Sequence, residues 1–449
     1  MDVFGQVRTW DCIIYHYLMD HNVIIPPKSP GRKDTQYAGA YVKEPIVGMH
    51  DWVVSFDLNS LYPHLIMQYN ISPETKIDMM QEYGITPNSI LSGGDIGKKA
   101  LGKCKANDYS VAANGTCYTK DYKGFLPSLM EKLYKERKMY KKKMIECQKR
   151  QQLGEDMSKD ISKYHNFQLV RKIQLNSAYG AIGNEWFRYY DVEMAEAITL
   201  SGQLSIRWIA DKLNGFLNKT IGTENYDYVV ASDTDSVYLR LGNLVDKVCP
   251  NKGKEGIVNF LDKASEEIIL PFIKKQYDEL AGLMNAYENK MVMDRECISD
   301  KAVWTAKKRY MMHVYDSEGV RYETPKIKIM GIETTRSSTP QVVRDSLTEA
   351  IKLVLTTDEQ TVIEFISNFR EKFYSFTPED IAFPRGVNGL EKYKDSTKIY
   401  RKSTPIAVKG SLIYNYYIDN NNLGSKYRNI IDGDKIKFLL LKKPNPLGG

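Results

Sequence analysis

Three aspartates stand where carboxylates do chemistry. Asp57 follows a β-rich run, Trp52-Val53-Val54-Ser55-Phe56, and precedes the turn Asn59-Ser60-Leu61-Tyr62-Pro63. Asp233 and Asp235 fall at the polar tip of YDYVVASDTDSVYL, residues 226–239, which reads as a β-hairpin. A strand-end carboxylate and a hairpin-tip pair brought together on one sheet concentrate negative charge. That is costly unless a cation holds them. All-oxygen donors suit Mg²⁺ before Zn²⁺. Two such ions, about 3.5–4 Å apart, activate an attacking oxygen and stabilise a leaving one. Taken alone, Asp-Thr-Asp is an ordinary turn.

A second constellation changes that balance. Lys172, Asn176, Tyr179 and Gly183 follow at i, i+4, i+7 and i+11, one face of a helix. A lysine offers a point charge to a triphosphate, and a tyrosine offers a flat ring to a base. Gly180 and Gly183 leave room for something planar. Arg137 and Lys141, spaced i and i+4, are placed to face the same space. The chain carries 63 Lys and Arg against 56 Asp and Glu, a net +7, and residues 131–150 alone hold nine bases and three acids. One sign clustered so tightly points to an anionic ligand.

These residues need elements to hold them. A helix is expected from Ser128 to about Gln152 and a second from about Ser162 to Tyr179, joined through Gly154-Glu155-Asp156 as an αα-hairpin. Residues 258–288 read as helical, and strand-like runs recur at 291–298, 309–315 and 325–332. After Pro340 the chain turns mostly helical, with one further strand at Gly410–Tyr416. Residues 26–37 read as an exposed loop, 92–115 as irregular, and 442–449 as a loop on which the chain stops inside a domain.

Length and composition bound the rest. At 449 residues the chain is too long for one ordinary domain, and 42% hydrophobic with 27% charged residues excludes disorder and a disulfide scaffold. No apolar run approaches the ~20 residues of a membrane span, and none at the N-terminus resembles a secretion signal. The six cysteines show no C-x-x-C pair, and Cys104 with Cys117 forms at most half of a zinc site. The six histidines form no H-x-x-x-H pair, so catalysis falls to carboxylates and bases.

The segments DLNSLYPHLI (57–66), KIQLNSAYGAIGN (172–184) and SDTDSVY (232–238) resemble motifs A, B and C of family B DNA polymerases, in the family's order and spacing. WFRYYD (186–191), KKRY (307–310) and KIKIMGIETTRSSTP (326–340) look most like the T-even-type phage branch of that family. The resemblance runs from about Gly5 to the C-terminus. It implies an α+β right-hand fold: an antiparallel-sheet palm from 1–125 and 181–340, helical-hairpin fingers at 126–180, and a mainly helical, incomplete thumb at 341–449.

It also implies roles. Asp57 and Asp235 would hold two catalytic Mg²⁺ ions, with the Leu58 carbonyl assisting and Asp233 in support. Arg137, Lys141 and Lys172 would grip the dNTP triphosphate, beside Asn176, and Tyr179 would pack by the nascent base pair. Backbone amides at 58–62 would receive phosphate oxygens. Tyr62 would stack under the sugar and exclude a 2′-OH. Glu296 matches a further acid near the site. Lys307, Lys308, Arg309 and Tyr310 would hold the primer duplex, and Lys392, Lys394 and Lys402 would extend that track. Such contacts fix register without reading sequence.

The chain departs from the family in three places. Ala231-Ser232 stand where Tyr-Gly usually precede the first Asp of motif C. The finger hairpin is shorter than in the T-even enzymes. No Asp-x-Glu exonuclease motif precedes Asp57, so the expectation is proofreading absent or carried by a separate chain, with no clamp-docking tail for a sliding clamp in view. The implied setting is the cytoplasm of a phage-infected bacterium. A metal-dependent nuclease, and a DNA-binding subunit of a split polymerase that has lost catalysis, remain open alternatives.

Overall fold

The computed structural model describes residues 5–28, 36–77 and 84–442. Most of the loop expected at 26–37 and nearly all of the 442–449 tail lie outside the described residues. The fold is α+β. Its main sheet is built from β1 (Gly48–Leu58), β2 (Val229–Asp233), β3 (Ser236–Arg240), β4 (Met293–Ala306), β5 (Arg309–Ser317) and β6 (Val320–Met330), in the order β2-β3-β1-β4-β5-β6. The chain forms two compact units, one of residues up to 300 together with 314–325, the other of 301–313 together with 326 onward.

In the first unit, β1 is central and buried on both faces from Val53 to Phe56. Strand alternation sends Val54, Phe56 and Leu58 into the large apolar core, and turns Val53, Ser55 and Asp57 to the opposite face. The core is completed by α1 (Gln6–Asp20), α2 (Leu61–Tyr69) and α3 (Asp95–Ala106), by the two long helices α4 (Phe125–Gln152) and α5 (Ser158–Ile182), and by α6 (Val192–Ile221). Beyond β3 follow α7 (Lys254–Ala264) and α8 (Leu270–Leu283).

Helix α6 has the punctuation its length needs. The Asp191 carboxylate accepts from Met194 N–H at its start, and Gly222 takes φ +76° at its end. Lys76 ties Asp191 and Glu193 together at 2.6 and 2.7 Å. Helix α4 lacks a side-chain cap of its own at Gly124. Its first amides are served from a distant segment: Phe125 N–H by the Glu74 carboxylate at 2.6 Å and Leu126 N–H by the Ser72 hydroxyl at 3.3 Å. Asn70, at the end of α2, accepts from Gly124 N–H and donates to the carbonyls of Thr119 and Tyr122. A side chain at Gly124 would meet Ser72 at 2.5 Å, so the close approach requires glycine. The base of α4 is thereby fixed to the helix that directly follows Asp57.

The second unit holds two small cores. One gathers Met311, Ile332, Ile351 and Leu355 around α9 (Gln341–Thr356), which packs on α10 (Glu359–Phe373). The other gathers Val387, Leu390, Val408 and Leu412. Here one expectation fails. Gly410–Tyr416 is not a strand but lies within α11 (Ile406–Asn420). Its buried Ala407, Val408, Ser411 and Leu412 repeat with helical spacing, and packing on that stripe overrides the strand preference of Ile413 and the tyrosines. Residues 92–115 are likewise not irregular, since they include α3 and the short strand Ser110–Val111. No helix among the described residues is long and apolar enough to cross a membrane.

Candidate active site

The pairing of β1 with β3 brings the distant aspartates together. Asp57 lies opposite Ser236, and Leu58 N–H donates to the Asp235 carbonyl at 2.8 Å. The hairpin tip is tight: Thr234 sits at φ +57° and Asp235 N–H reaches the Asp233 carbonyl at 2.6 Å. The segment before β1 closes the outer edge of β2, with Lys43 N–H on the Ser232 carbonyl, Ile46 N–H on that of Val230, and a bridge between Val42 and Asp233.

Asp57 and Asp235 open on one cavity of about 670 Å³. Arg137, Lys141, Lys172 and Asn176 line it from α4 and α5, so Lys172 and Asn176 of the helix face read from spacing share it with the carboxylates. Asp233 does not line this cavity. It sits at the β2 edge and accepts the Thr234 hydroxyl at 3.0 Å. Gly180 and Gly183 do not line it either. A Cβ at Gly180 would collide with Gln6 and one at Gly183 with the Tyr37 hydroxyl, so the space they leave is filled by the N-terminal segment.

Arg137 Nη1 donates to the Ser60 hydroxyl at 3.1 Å, and Ser60 holds a left-handed φ of +46° between β1 and α2. Arg137 Nε is buried with no hydrogen-bond partner among the described residues. A buried guanidinium nitrogen without an acceptor fits a site built for an anion.

Tyr62 and Tyr179 do not line the cavity; they pack on each other, their ring centres 4.7 Å apart at 46°. The Tyr179 hydroxyl donates to that of Tyr37 at 3.3 Å. Burial, then the nearby Asp235, pushes the Tyr62 phenol up to about 12, and burial with Tyr37 pushes Tyr179 up further, so both stay protonated at neutral pH.

Glu296, the further acid read from the sequence, accepts from Ser55 at 2.9 Å. Asp294, Arg295 and Glu266 were not singled out from the sequence as site residues. Asn59 donates to the Asp294 carboxylate at 2.6 Å. Asp294, Arg295 and Glu296 all line the cavity from β4. Glu266 enters it from Ser265–Ile269, where the chain between α7 and α8 widens to a π-helical turn. Arg295 is held by Asp316 at 2.6 Å and by Asp262 at 2.9 Å, and Arg321 joins Asp316 at 3.0 Å. Burial alone would raise the Asp316 carboxyl, but hydrogen bonds from Arg295, Arg321 and the Gly319 amide outweigh it and hold it below the usual range. Asp316→Asn leaves the buried Arg295 beside a neutral amide, with Asp262 still paired to its other nitrogen. The expected loss is about 3 kcal/mol, read by urea unfolding. A loss under about 1 kcal/mol would show that this pair does not hold β4 in place.

The remaining expected residues lie in the second unit. Lys308 takes φ +60° at the β4–β5 turn, Arg309 donates two hydrogen bonds to the Glu333 carboxylate at 2.9 and 2.7 Å, and Tyr310 stacks on Trp304 at 5.4 Å. Lys307 flanks the same turn. Lys392 lies over the Tyr393 ring, Lys394 pairs with Glu391 at 3.7 Å, and Lys402 is exposed. Cys104 and Cys117 are buried with their sulfurs 3.7 Å apart. Among the described residues no group of three or more His, Cys, Asp or Glu side chains is arranged to hold a metal.

The sequence model of DNA polymerase family B matches residues 5–253. The chain belongs to that family. It is 34% identical to the DNA-directed DNA polymerase of Enterobacteria phage T4, over 99% of this chain and 54% of that protein. The figures for the DNA-directed DNA polymerase of Escherichia phage RB69 are the same. A DNA polymerase of Thermococcus sp. (strain 9oN-7) is 25% identical over 84% of this chain and 40% of its own length. This family B chain therefore spans about half the length of the phage relatives it matches.

Proposed function

We propose that this chain carries the nucleotide-adding part of a template-directed DNA polymerase. One observation carries the reading: Asp57 and Asp235 share a cavity with Arg137, Lys141 and Lys172. Carboxylates serve the reacting oxygens, and the cations across from them serve a triphosphate. A nuclease has no need of that second half. In this reading residues 1–125 and 181–340 are the palm, 126–180 the fingers and 341–449 the thumb.

Two carboxylates and the neighbouring Leu58 carbonyl make an all-oxygen donor set suited to Mg²⁺. Three protein donors leave positions for phosphate oxygens. Asp57, Asp235 and the Leu58 carbonyl would hold two Mg²⁺ ions, which supply an acidified primer 3′-OH and charge neutralisation at the departing pyrophosphate. Arg137, Lys141 and Lys172 orient the triphosphate and meet the negative charge that develops on it. Tyr62 and Tyr179 wall the sugar and the new base pair. Lys307, Lys308, Arg309 and Tyr310, with Lys392, Lys394 and Lys402, hold the duplex by its phosphates, which is what copying any sequence demands. The phage relatives support a setting inside an infected bacterial cell.

Primer extension with Mg²⁺ and four dNTPs tests the reading directly. Lengthening of the primer supports it. Shortening would replace it with nuclease chemistry, and DNA binding without turnover would replace it with a binding subunit.

A further inference from the structure

Arg171 and Glu136 form an ion pair across the two long helices, Arg171 Nε to Glu136 Oε2 at 3.0 Å. Neither lines the cavity, yet each immediately precedes a residue that does, Lys172 on α5 and Arg137 on α4. The pair is more than a loose surface contact. Its side chains are 25% and 28% exposed. The Arg171 guanidinium lies 5.2 Å from the centre of the Tyr140 ring and 5.9 Å from that of Phe167. Those rings meet edge to face at 5.1 Å. One turn further along, Lys143 lies over the Tyr164 ring. The contacts 143/164, 140/167 and 136/171 thus step down the hairpin in one antiparallel register.

That register decides where the phosphate grip points. A one-residue slip of α5 along α4 moves Lys172 about 1.5 Å relative to Arg137. Misplacement of roughly 1 Å in a positioning group costs up to about a hundredfold in turnover. A planar guanidinium seated on two rings and paired to a carboxylate resists such a slip better than a lysine pair would. We infer that Glu136 and Arg171 are positioning residues: their clasp sets α5 against α4 so that Arg137, Lys141 and Lys172 converge on the incoming triphosphate. The inference rests on the polymerase reading of the cavity.

Glu136→Gln separates this role from bare electrostatics by sign. Removing a negative charge beside a triphosphate site should lower the dNTP KM if charge alone matters. Loss of the clasp raises it, by about five- to tenfold, and slows turnover as well, with the melting temperature within about 2 °C. Arg171→Lys keeps the charge but not the fork, and falls between wild type and Arg171→Met. The double variant Glu136→Gln/Arg171→Met is no worse than Arg171→Met alone, since one interaction is lost in both. A lowered or unchanged KM in Glu136→Gln, or additive losses in the double variant, overturns the inference while the polymerase reading stands on the extending wild type. A wild type that does not extend overturns that reading and this inference with it.

Discussion

Asp57→Ala and Asp235→Ala are each expected to slow primer extension by more than about a thousandfold. Asp57 ends β1 opposite Ser236, and Asp235 is the turn residue just before Ser236, held by Leu58 N–H, so neither can move to cover for the other. Alanine at Asp57 leaves β1 intact, because the residues that pack the core are its neighbours Phe56 and Leu58. Removing a carboxylate also lightens the negative charge that a DNA backbone meets. DNA affinity, read by a gel or anisotropy titration at fixed salt, is therefore expected to hold or rise. Asn at either position tests the charge apart from the shape and is expected to fail as fully as Ala. Extension within tenfold of wild type in either variant would remove these residues from the chemistry.

Tyr62→Ala should admit ribonucleotides, raising their incorporation relative to deoxynucleotides by about a hundredfold. The Tyr62 ring is held from two sides. Tyr179 packs at 4.7 Å on one, and a Cβ at Gly202 on α6 would stand only 3.3 Å from it on another. A ring so confined does not swing aside for an added 2′-hydroxyl. Its phenol, pushed up to about 12, stays neutral across the working pH range. The selection is therefore one of shape, and Tyr62→Phe is expected to keep it. Competition assays with paired dCTP and CTP read the ratio. An unchanged ratio in Tyr62→Ala would mean that the ring is core packing and nothing more.

What the sequence made legible was local. The hairpin around Asp233-Thr234-Asp235 and the two long helices carry their own turn and periodicity signals, and the strand ending near Asp57 is strongly β-forming. Spacing on one helix face was enough to group Lys172 and Asn176. It also drew in Gly183, which the N-terminal segment covers, because periodicity says which residues share a face but not what lies over it. Asp233 was grouped with Asp235 by adjacency, whereas the tight turn at Thr234 and the Val42 bridge to Asp233 give the two different surroundings. Arg295 and Glu266 carried no visible signal. An arginine reads as solvated until Asp316 and Asp262 are brought to it, and the π-helical turn that aims Glu266 leaves no mark in residue type. Helix α11 was misread because tyrosines and isoleucine suit strands, and only the packing of Val408 and Leu412 on Val387 and Leu390 decides otherwise.

The central position of β1 governs how the protein can be made. During synthesis Asp57 leaves the ribosome before either neighbouring strand, the last of them ending at Ala306. At translation speeds of 5–20 residues per second that interval is roughly 12–50 s. Throughout it β1 keeps an open edge on the side of β4, and until Arg240 is made both of its edges are open. Yield of folded enzyme in a recombinant host should therefore respond to growth temperature and chaperone supply more sharply than its final stability would suggest.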